Sequence, residues 1–510
     1  MTPGRLRPAI LVAIAGLAVI AAALWNLRAA GEGVATSAFS IEGIPATVFR
    51  PADGSRGPVV VIAHGFAGSQ QLMQSFAIAF ARNGYTAVTF DFAGHGRNPR
   101  PLGGSISRED GATRRLVDEV ARVADYAAPL GDGRLAVLGH SMASDIVIRF
   151  AQSRPDVAAT VAVSMFSPVV TATSPRNLLV VVGDWEGMLK TEALRVAGLV
   201  AAPATAQEGV TYGDLAAGTA RRAAFSPHVE HVGVLFSQAS LLAAVDWLDA
   251  VFGMQRAGPP HLASRGPWIL ALLAGAVALA WPLSRLLPVV ARRPAGAALR
   301  WREAWIVAVP MIATPLVLTV APTRFLPVLV GDYLAAHFAA YGVITGLCLL
   351  LLKRRRGLAP TGPVGIRAFA AAVMLAVLYS AVALFWPIDA LVTSFVADRD
   401  RAVLGLALLA GTLPYFLADE WLTRGEGAGK GLYALSKAAF LVSLGIAVAF
   451  DFGRLFFLLI IVPVIIPFML VYGLFSVWIY RRTRFPLVAG AANAAAFAWA
   501  IGVTFPLLAG

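Results

Sequence analysis

One serine stands where an apolar run gives way to a helical pattern. Residues 134–143 read Arg-Leu-Ala-Val-Leu-Gly-His-Ser-Met-Ala, with an amphipathic stretch after them. A short buried strand, a sharp turn and a helix form the context in which the serine of G-x-S-x-G is held exposed as a nucleophile. Ser141 has that position. The turn strains the serine backbone, so residues two positions away must be small. Gly139 meets that need, and Ala143 puts a methyl group where a second glycine is usual. A hydroxyl attacks only when a base takes its proton, and histidine is the usual base because it titrates near working pH. The competing reading is a serine that merely caps a core helix. A histidine metal site is disfavoured, because no H-x-x-x-H helix spacing occurs.

The elements that must position Ser141 follow from periodicity. Alternating stretches at 36–41 and 44–49 predict an antiparallel hairpin. Continuous apolar runs at 58–63, 86–90, 134–138, 158–163 and 178–182 suit strands buried on both faces of a parallel sheet. Helical patterns lie between and after them, at 70–83, 108–127, 141–152, 188–200 and 238–252. Alternating strands and helices predict an α/β doubly wound, mostly parallel sheet. The helix after Ser141 aims its first N–H groups at the site and favours negative charge there.

Two further motifs close strands. His64-Gly65-Phe66 follows the first buried run, and Asp91-Phe92-Ala93-Gly94-His95-Gly96 follows the next. With these in order, residues 31–255 resemble the α/β-hydrolase superfamily. The resemblance implies the order serine, acid, histidine. The acid then lies in Gly183-Asp184-Trp185-Glu186, where the family register favours Glu186 over the alternative Asp184. The histidine lies in Ser226-Pro227-His228-Val229-Glu230-His231-Val232. The resemblance favours His231, 16 residues before Trp247-Leu248, and leaves His228 as a surface alternative. It assigns the oxyanion hole to the backbone N–H groups of Phe66 and Met142. His64, His95 and His140 are read as structural hydrogen-bonding groups of the turns. No cofactor is implied. The connection from 165 to 178 is too short for a lid, so residues 187–225, the outer loops or nothing at all would cover the site. An open site suits a large or lipid substrate.

Of the 510 residues, 58% are hydrophobic and 14% charged, where a soluble domain carries roughly a quarter charged. The excess of apolar residues lies in runs at 8–27, 267–289, 304–322, 328–352, 367–387, 402–421, 433–450, 455–479 and 487–508. Each is long enough to cross a bilayer. The expected division is an uncleaved anchor or signal segment at 1–30, a hydrolase domain at 31–255, a linker at 256–266 and about eight membrane helices at 267–510. Net charge is +13, but the basic residues cluster between apolar runs, which argues against a nucleic-acid partner. They read as topology determinants. With the N-terminus inside, sixteen fall inside: Arg5, Arg7, Arg285, Arg292, Arg293, Arg300, Arg302, Lys353, Arg354, Arg355, Arg356, Arg424, Lys430, Arg481, Arg482 and Arg484. Four, Arg324, Arg399, Arg401 and Arg454, fall in outer loops. The hydrolase domain and the C-terminus are thus expected outside the cytoplasm, and the Ala- and Arg-rich composition points to a bacterial inner membrane.

Cys348, the single cysteine, allows no disulfide within the chain. Asp332 and His337 fall near the outer end of the fourth run, where ionisable residues mark function unless they are interfacial. Asp419 and Glu420 are expected to be interfacial. No inverted repeat supports transport. The expected activity is hydrolysis of an ester or related acyl bond, with lipid among the candidate substrates. Acyl transfer to an envelope acceptor, peptide cleavage, and a transport or signalling bundle with a hydrolase-like domain are the alternatives. Oligomeric state stays open.

Overall fold

The computed structural model describes residues 3–104, 109–356 and 362–509. Met1, Thr2 and Arg108, which begin the expected anchor and one expected helix, lie outside them, as does Gly510. The chain divides into two compact units, and the division passes through helix α1 (Pro3–Ala30).

One unit comprises Ala21–Leu272 with Ile388–Phe395 and residues 506–509. Its sheet has nine strands: β1 (Val34–Ile41), β2 (Ile44–Pro51), β3 (Val59–Ala63), β4 (Thr86–Phe90), β5 (Leu135–His140), β6 (Val157–Val163), β7 (Leu178–Gly183), β8 (Thr211–Tyr212) and β9 (Arg221–Ser226). Their order is β1-β2-β4-β3-β5-β6-β7-β9-β8. The six from β4 to β9 run parallel, while β1, β2 and β8 form the antiparallel edges. Helices α2 (Gln74–Arg82), α3 (Arg114–Ala127), α4 (Met142–Ser153), α5 (Gly187–Ala201) and α6 (Gln238–Phe252) cover the sheet. Alternation along a strand decides which helix each residue meets. Val60 and Ile62 pack with Phe76, Phe80 and Trp247 on the α2/α6 face. Val59 and Val61 pack with Val120, Val123 and Val147 on the α3/α4 face. This is an α/β-hydrolase fold.

β8 and β9 are not among the expected strands. β9 opens with Arg221-Arg222, which hides it from a hydropathy pattern. Yet Arg221 is fully buried, and its guanidinium donates to the carbonyls of Ala220 (2.9 Å) and Thr171 (3.1 Å).

The other unit holds the first part of α1 and, in chain order, α7 (Gly266–Ser284) from Leu273, α8 (Trp305–Leu318), α9 (Gly331–Arg356), α10 (Ile366–Ser380), α11 (Trp386–Leu391) up to Pro387, α12 (Arg399–Thr423), α13 (Leu432–Phe450), α14 (Phe452–Leu455), α15 (Phe457–Thr483) and α16 (Leu487–Thr504). Among the described residues, 9 helical stretches are long and apolar enough to cross a membrane. Close backbone approach joins α9, α12 and α16. A Cβ on Gly411 would lie 2.8 Å from the Cα of Ala335, and one on Gly490 would lie 2.9 Å from the Phe416 carbonyl oxygen. Small residues at such crossings are the usual device for packing helices where no water drives them together.

Asp419 and Glu420, near the end of α12, are buried within the protein and partnered by side chains from the end of α12 and from α13. Ser436 and Lys437 of α13 both bond the Asp419 carboxylate, and Arg424 Nε lies 3.1 Å from Glu420 Oε2. Asp332 and His337 are likewise buried. Arg401 is no loop residue. It is buried, and it caps the C-terminal end of α16 through the carbonyls of Gly502, Val503 and Phe505. The last apolar run does not stay helical to 508. α16 ends at Thr504, and the residues beyond it pair with the α/β domain, Leu507 bonding Gly94 and Leu102 through their backbones.

Candidate active site

Ser141 sits between β5 and α4 with φ 54° and ψ −120°, a left-handed φ that non-glycine residues rarely adopt. The turn survives because its flanks are small. A Cβ on Gly139 would collide with the backbone of Ala143, and Ala143 itself is buried, its methyl group accommodated. The Ser141 N–H donates to the carbonyl of Val163 on β6 (2.8 Å), which pins the turn to the sheet.

Three side chains line up from this turn. Ser141 Oγ is 2.8 Å from His231 Nε2, and His231 Nδ1 is 2.6 Å from Glu186 Oε1. Glu186 follows β7, and its side chain is only 8% exposed. Its second oxygen accepts from Ser164 Oγ and from the Gly183 N–H, both at 2.7 Å. Burial works to raise this carboxyl, but hydrogen bonds from His231, Ser164 and Gly183 outweigh it and hold it below the usual glutamate range. An ionised Glu186 fixes the tautomer: Nδ1–H points at the acid, and Nε2 is left to accept the serine proton.

The two alternatives lie apart from this line. Asp184 pairs with Lys190 Nζ at 2.6 Å, and its side chain is 41% exposed. Lys190 holds its carboxyl below the usual range. His228 is exposed, at φ 59°. The structure therefore joins Ser141, His231 and Glu186 and leaves Asp184 and His228 outside.

His140 takes a part that its motif did not announce. Its Nε2–H donates to the backbone carbonyl of His231 (2.9 Å), so Nδ1 carries no proton. Burial first, and then the neighbouring His231, push its pKa down to about 3. A neutral ring thus anchors the loop that carries His231. His64 is also neutral: its Nε2 accepts from the Phe92 N–H (3.1 Å), its Nδ1 faces the Gly65 carbonyl (2.8 Å), and burial lowers its pKa.

The loop after β3 closes the other side. A Cβ on Gly65 would lie 3.0 Å from the Cβ of Ser141, so the backbone leading into Phe66 passes beside Ser141. Ser69, three residues on, accepts the N–H of Ser394 (2.7 Å) and lies 3.1 Å from Thr393 Oγ1. Asp91 braces the same loop. Its carboxylate accepts from the N–H groups of Gln70 (2.7 Å) and Arg97 (3.0 Å) and from Gln70 Nε2 (3.0 Å). Arg97 in turn pairs with Asp389 at 2.5 Å. Ser69, Ser164, Ser394 and Asp389 carry no sequence signal, because single serines and aspartates in loops are common.

The rim is apolar. Phe166, Trp185, Met188 and Val232 are exposed by 63%, 67%, 80% and 38%. They project from the segments after β6, β7 and β9, the last two segments also holding Glu186 and His231.

Residues 58–220 match the family model described as the alpha/beta hydrolase fold, and the helical region falls outside that match. An uncharacterized protein of Mycobacterium tuberculosis is 26% identical over 111 residues, 22% of this chain and 37% of the relative. The chain thus spans little more than a third of the length of the curated relatives it matches. Among solved structures, an epoxide hydrolase from Vigna radiata is 26% identical over 27% of this chain and 40% of its own, with a TM-score of 0.22. A Thermus thermophilus protein is 16% identical over 44% of this chain and 99% of its own, with a TM-score of 0.32. The domain is a hydrolase in its general class.

Proposed function

We propose that this chain is a membrane-anchored serine hydrolase that cleaves an ester or related acyl bond of an apolar substrate. The observation that carries the reading is the continuous line Ser141–His231–Glu186. In the proposed cycle, His231 Nε2 takes the Ser141 proton as Oγ bonds the acyl carbon. The oxyanion meets the N–H groups of Met142 and Phe66. His231 then returns the proton to the leaving oxygen as its bond to carbon breaks. Water, deprotonated by the same imidazole, splits the acyl-serine and restores the hydroxyl. Glu186 stays ionised throughout and stabilises the imidazolium.

The four exposed apolar side chains on the segments after β6, β7 and β9 support a lipid or other long-chain acyl group, since large apolar side chains left in water favour an apolar partner. The helices long enough to span a bilayer support anchoring, with α1 as the first span, residues 31–255 as the catalytic domain and 267–510 as the bundle. The bias of sixteen basic residues against four, counted above from the sequence, supports an extracytoplasmic hydrolase domain in a bacterial inner membrane. Transfer of the acyl group to an envelope acceptor would use the same covalent intermediate and differs only in what replaces water.

A fluorophosphonate probe tests the nucleophile. The full chain is expected to be labelled on Ser141 and Ser141→Ala not at all. Folded but unlabelled wild-type protein would overturn the reading. An active alkaline phosphatase fused after residue 255 is expected for the proposed topology. An inactive fusion, with an active cytoplasmic reporter at the same point, would reverse it.

A further inference from the structure

We infer that one end of the helical region holds a site for a phospholipid whose headgroup pairs a phosphate with an ammonium group. The site is a cleft of about 480 Å³ between the end of α8, the residues that follow it, the start of α9, the end of α13 and α14. That lies within the ~300–1,000 Å³ range of small-molecule sites. Leu318, Phe450 and Leu455 give the cleft an apolar wall, and three charged residues, Arg324, Arg454 and Asp451, line it as well. None of the three forms an ion pair among the described residues.

The loop that presents Arg324 is pinned on both sides. Arg454 donates to the Thr323 hydroxyl (2.8 Å) and to the Thr323 carbonyl. The Phe325 N–H turns to the Asp332 carboxylate, which also accepts the Tyr333 N–H (2.7 Å). Between these anchors Arg324 is exposed and has no hydrogen bond among the described residues. Arg454 is held too, its guanidinium 5.6 Å above the Tyr333 ring. Its two bonds to Thr323 use two of the five N–H donors of a guanidinium and leave three. Asp451 Oδ1 accepts the Arg454 backbone N–H (3.3 Å) as the cap of α14, and its other oxygen has no partner among the described residues. Two cations and an anion thus line one cleft without neutralising one another. A phosphate takes the guanidinium groups through charge-assisted hydrogen bonds, and an ammonium group takes Asp451. A purely anionic headgroup would bring its charge against Asp451 with nothing to offer it. The cleft lies where apolar stretches end, the depth at which headgroups sit. Val320 and Phe325 of the same loop are exposed, which suits contact with acyl chains.

The inference rests on the proposal that these helices lie in a membrane, which is the source of such a ligand. Chain recovered without detergent would remove that reading, whereas lost headgroup selectivity in chain that needs detergent would remove the site alone. Native mass spectrometry of the delipidated full chain in detergent reads the retention of added dioleyl lipids, ether-linked so that hydrolysis plays no part. The phosphoethanolamine lipid should be retained about threefold better than the phosphoglycerol lipid, which has the phosphate without the ammonium group. It should be retained about tenfold better than the bare dioleylglycerol, which has neither. Asp451→Asn, which keeps a cap on α14, should erase the first difference. Arg324→Gln should erase most of the second. Unchanged melting temperatures and fluorophosphonate labelling are the controls for folding, and both residues are exposed. Free phosphoethanolamine should compete only weakly. Competition equal to the lipid's would point to a soluble ligand and overturn the lipid site. Equal retention of the three lipids, or selectivity unchanged in either variant, would mean annular lipid only and would overturn it as well.

Discussion

The α/β domain and the helical region both bury carboxylates, but they partner them by different means. In the α/β domain, backbone supplies much of what is needed. Glu186 takes the Gly183 N–H, and Asp91 takes those of Gln70 and Arg97. Strand ends and turns leave such N–H groups unspent, so a site built there is completed locally. In the helical region, every backbone group within a helix is used by the helix itself. Asp419 must find Ser436 and Lys437, and Glu420 must find Arg424. Loops at strand ends thus partner a buried carboxylate with backbone N–H groups, whereas a helical core must partner it with side chains.

The largest expected effect separates the two acids after β7. Glu186→Gln should cut kcat by about 10⁴-fold, as an amide sets the wrong histidine tautomer. Asp184→Asn should change it less than about twofold, since exposed ion pairs contribute little. Rates measured on a chromogenic short-chain ester decide the matter, and the reverse ranking would exchange the two roles. Next in size is the helical pair. Lys437→Met leaves Asp419 buried without its ion partner and should destabilise the protein by about 3–5 kcal/mol. Replacing both members, Asp419→Leu with Lys437→Met, should cost clearly less. Thermal unfolding in detergent reads this, and equal losses would break the claim that side chains alone partner charge there.

Much of the catalytic line was legible because it lies in contiguous motifs. Gly139, Ser141 and Ala143 are constrained by one turn, and the five longest apolar runs of the domain became β3 to β7. Glu186 and His231 needed the superfamily's register, since nothing in the local spacing separates them from Asp184 and His228. Their difference is burial, which two or three residues of sequence separation cannot reveal. β9 was hidden by its paired arginines, because a buried guanidinium satisfied by carbonyls looks the same in sequence as an exposed one. The partners of Asp419 were hidden for another reason. Hydropathy places residues along the membrane normal, but which helix faces which depends on packing of small residues such as Gly411 and Gly490.

A smaller effect concerns pH. Folded His140 stays neutral down to about pH 3, whereas in the unfolded chain a histidine takes a proton near pH 6.5. Below that value the unfolded state binds the extra proton, so stability falls as pH falls, by about 1.4 kcal/mol per pH unit for each such histidine. The contribution is fully present above pH 6.5. His140→Gln should flatten the slope between pH 6 and 4 by one proton's worth, in unfolding curves of the full chain. It should also keep most of kcat, because a glutamine amide can still donate to the His231 carbonyl. His140→Phe cannot, and should lower kcat with KM unchanged. Equal rates for the two variants would remove His140 from the positioning of the base.

The smallest expected effect tests whether a distant stretch of chain tunes the nucleophile's surroundings. Ser69 Oγ is the acceptor for the Ser394 N–H, and the loop it belongs to runs past Ser141 at Gly65-Phe66. Ser69→Ala removes an acceptor worth about 1 kcal/mol. If that bond holds the Phe66 N–H at the oxyanion position, part of the loss falls on the transition state alone. kcat should then drop by about two- to fivefold with KM unchanged. Ser69→Thr, which keeps the hydroxyl, should restore it. Fluorophosphonate labelling should slow in parallel, because the phosphoryl oxygen uses the same donors. A normal kcat in Ser69→Ala with a lowered melting temperature would mean that residues 388–395 stabilise the domain without positioning its loop.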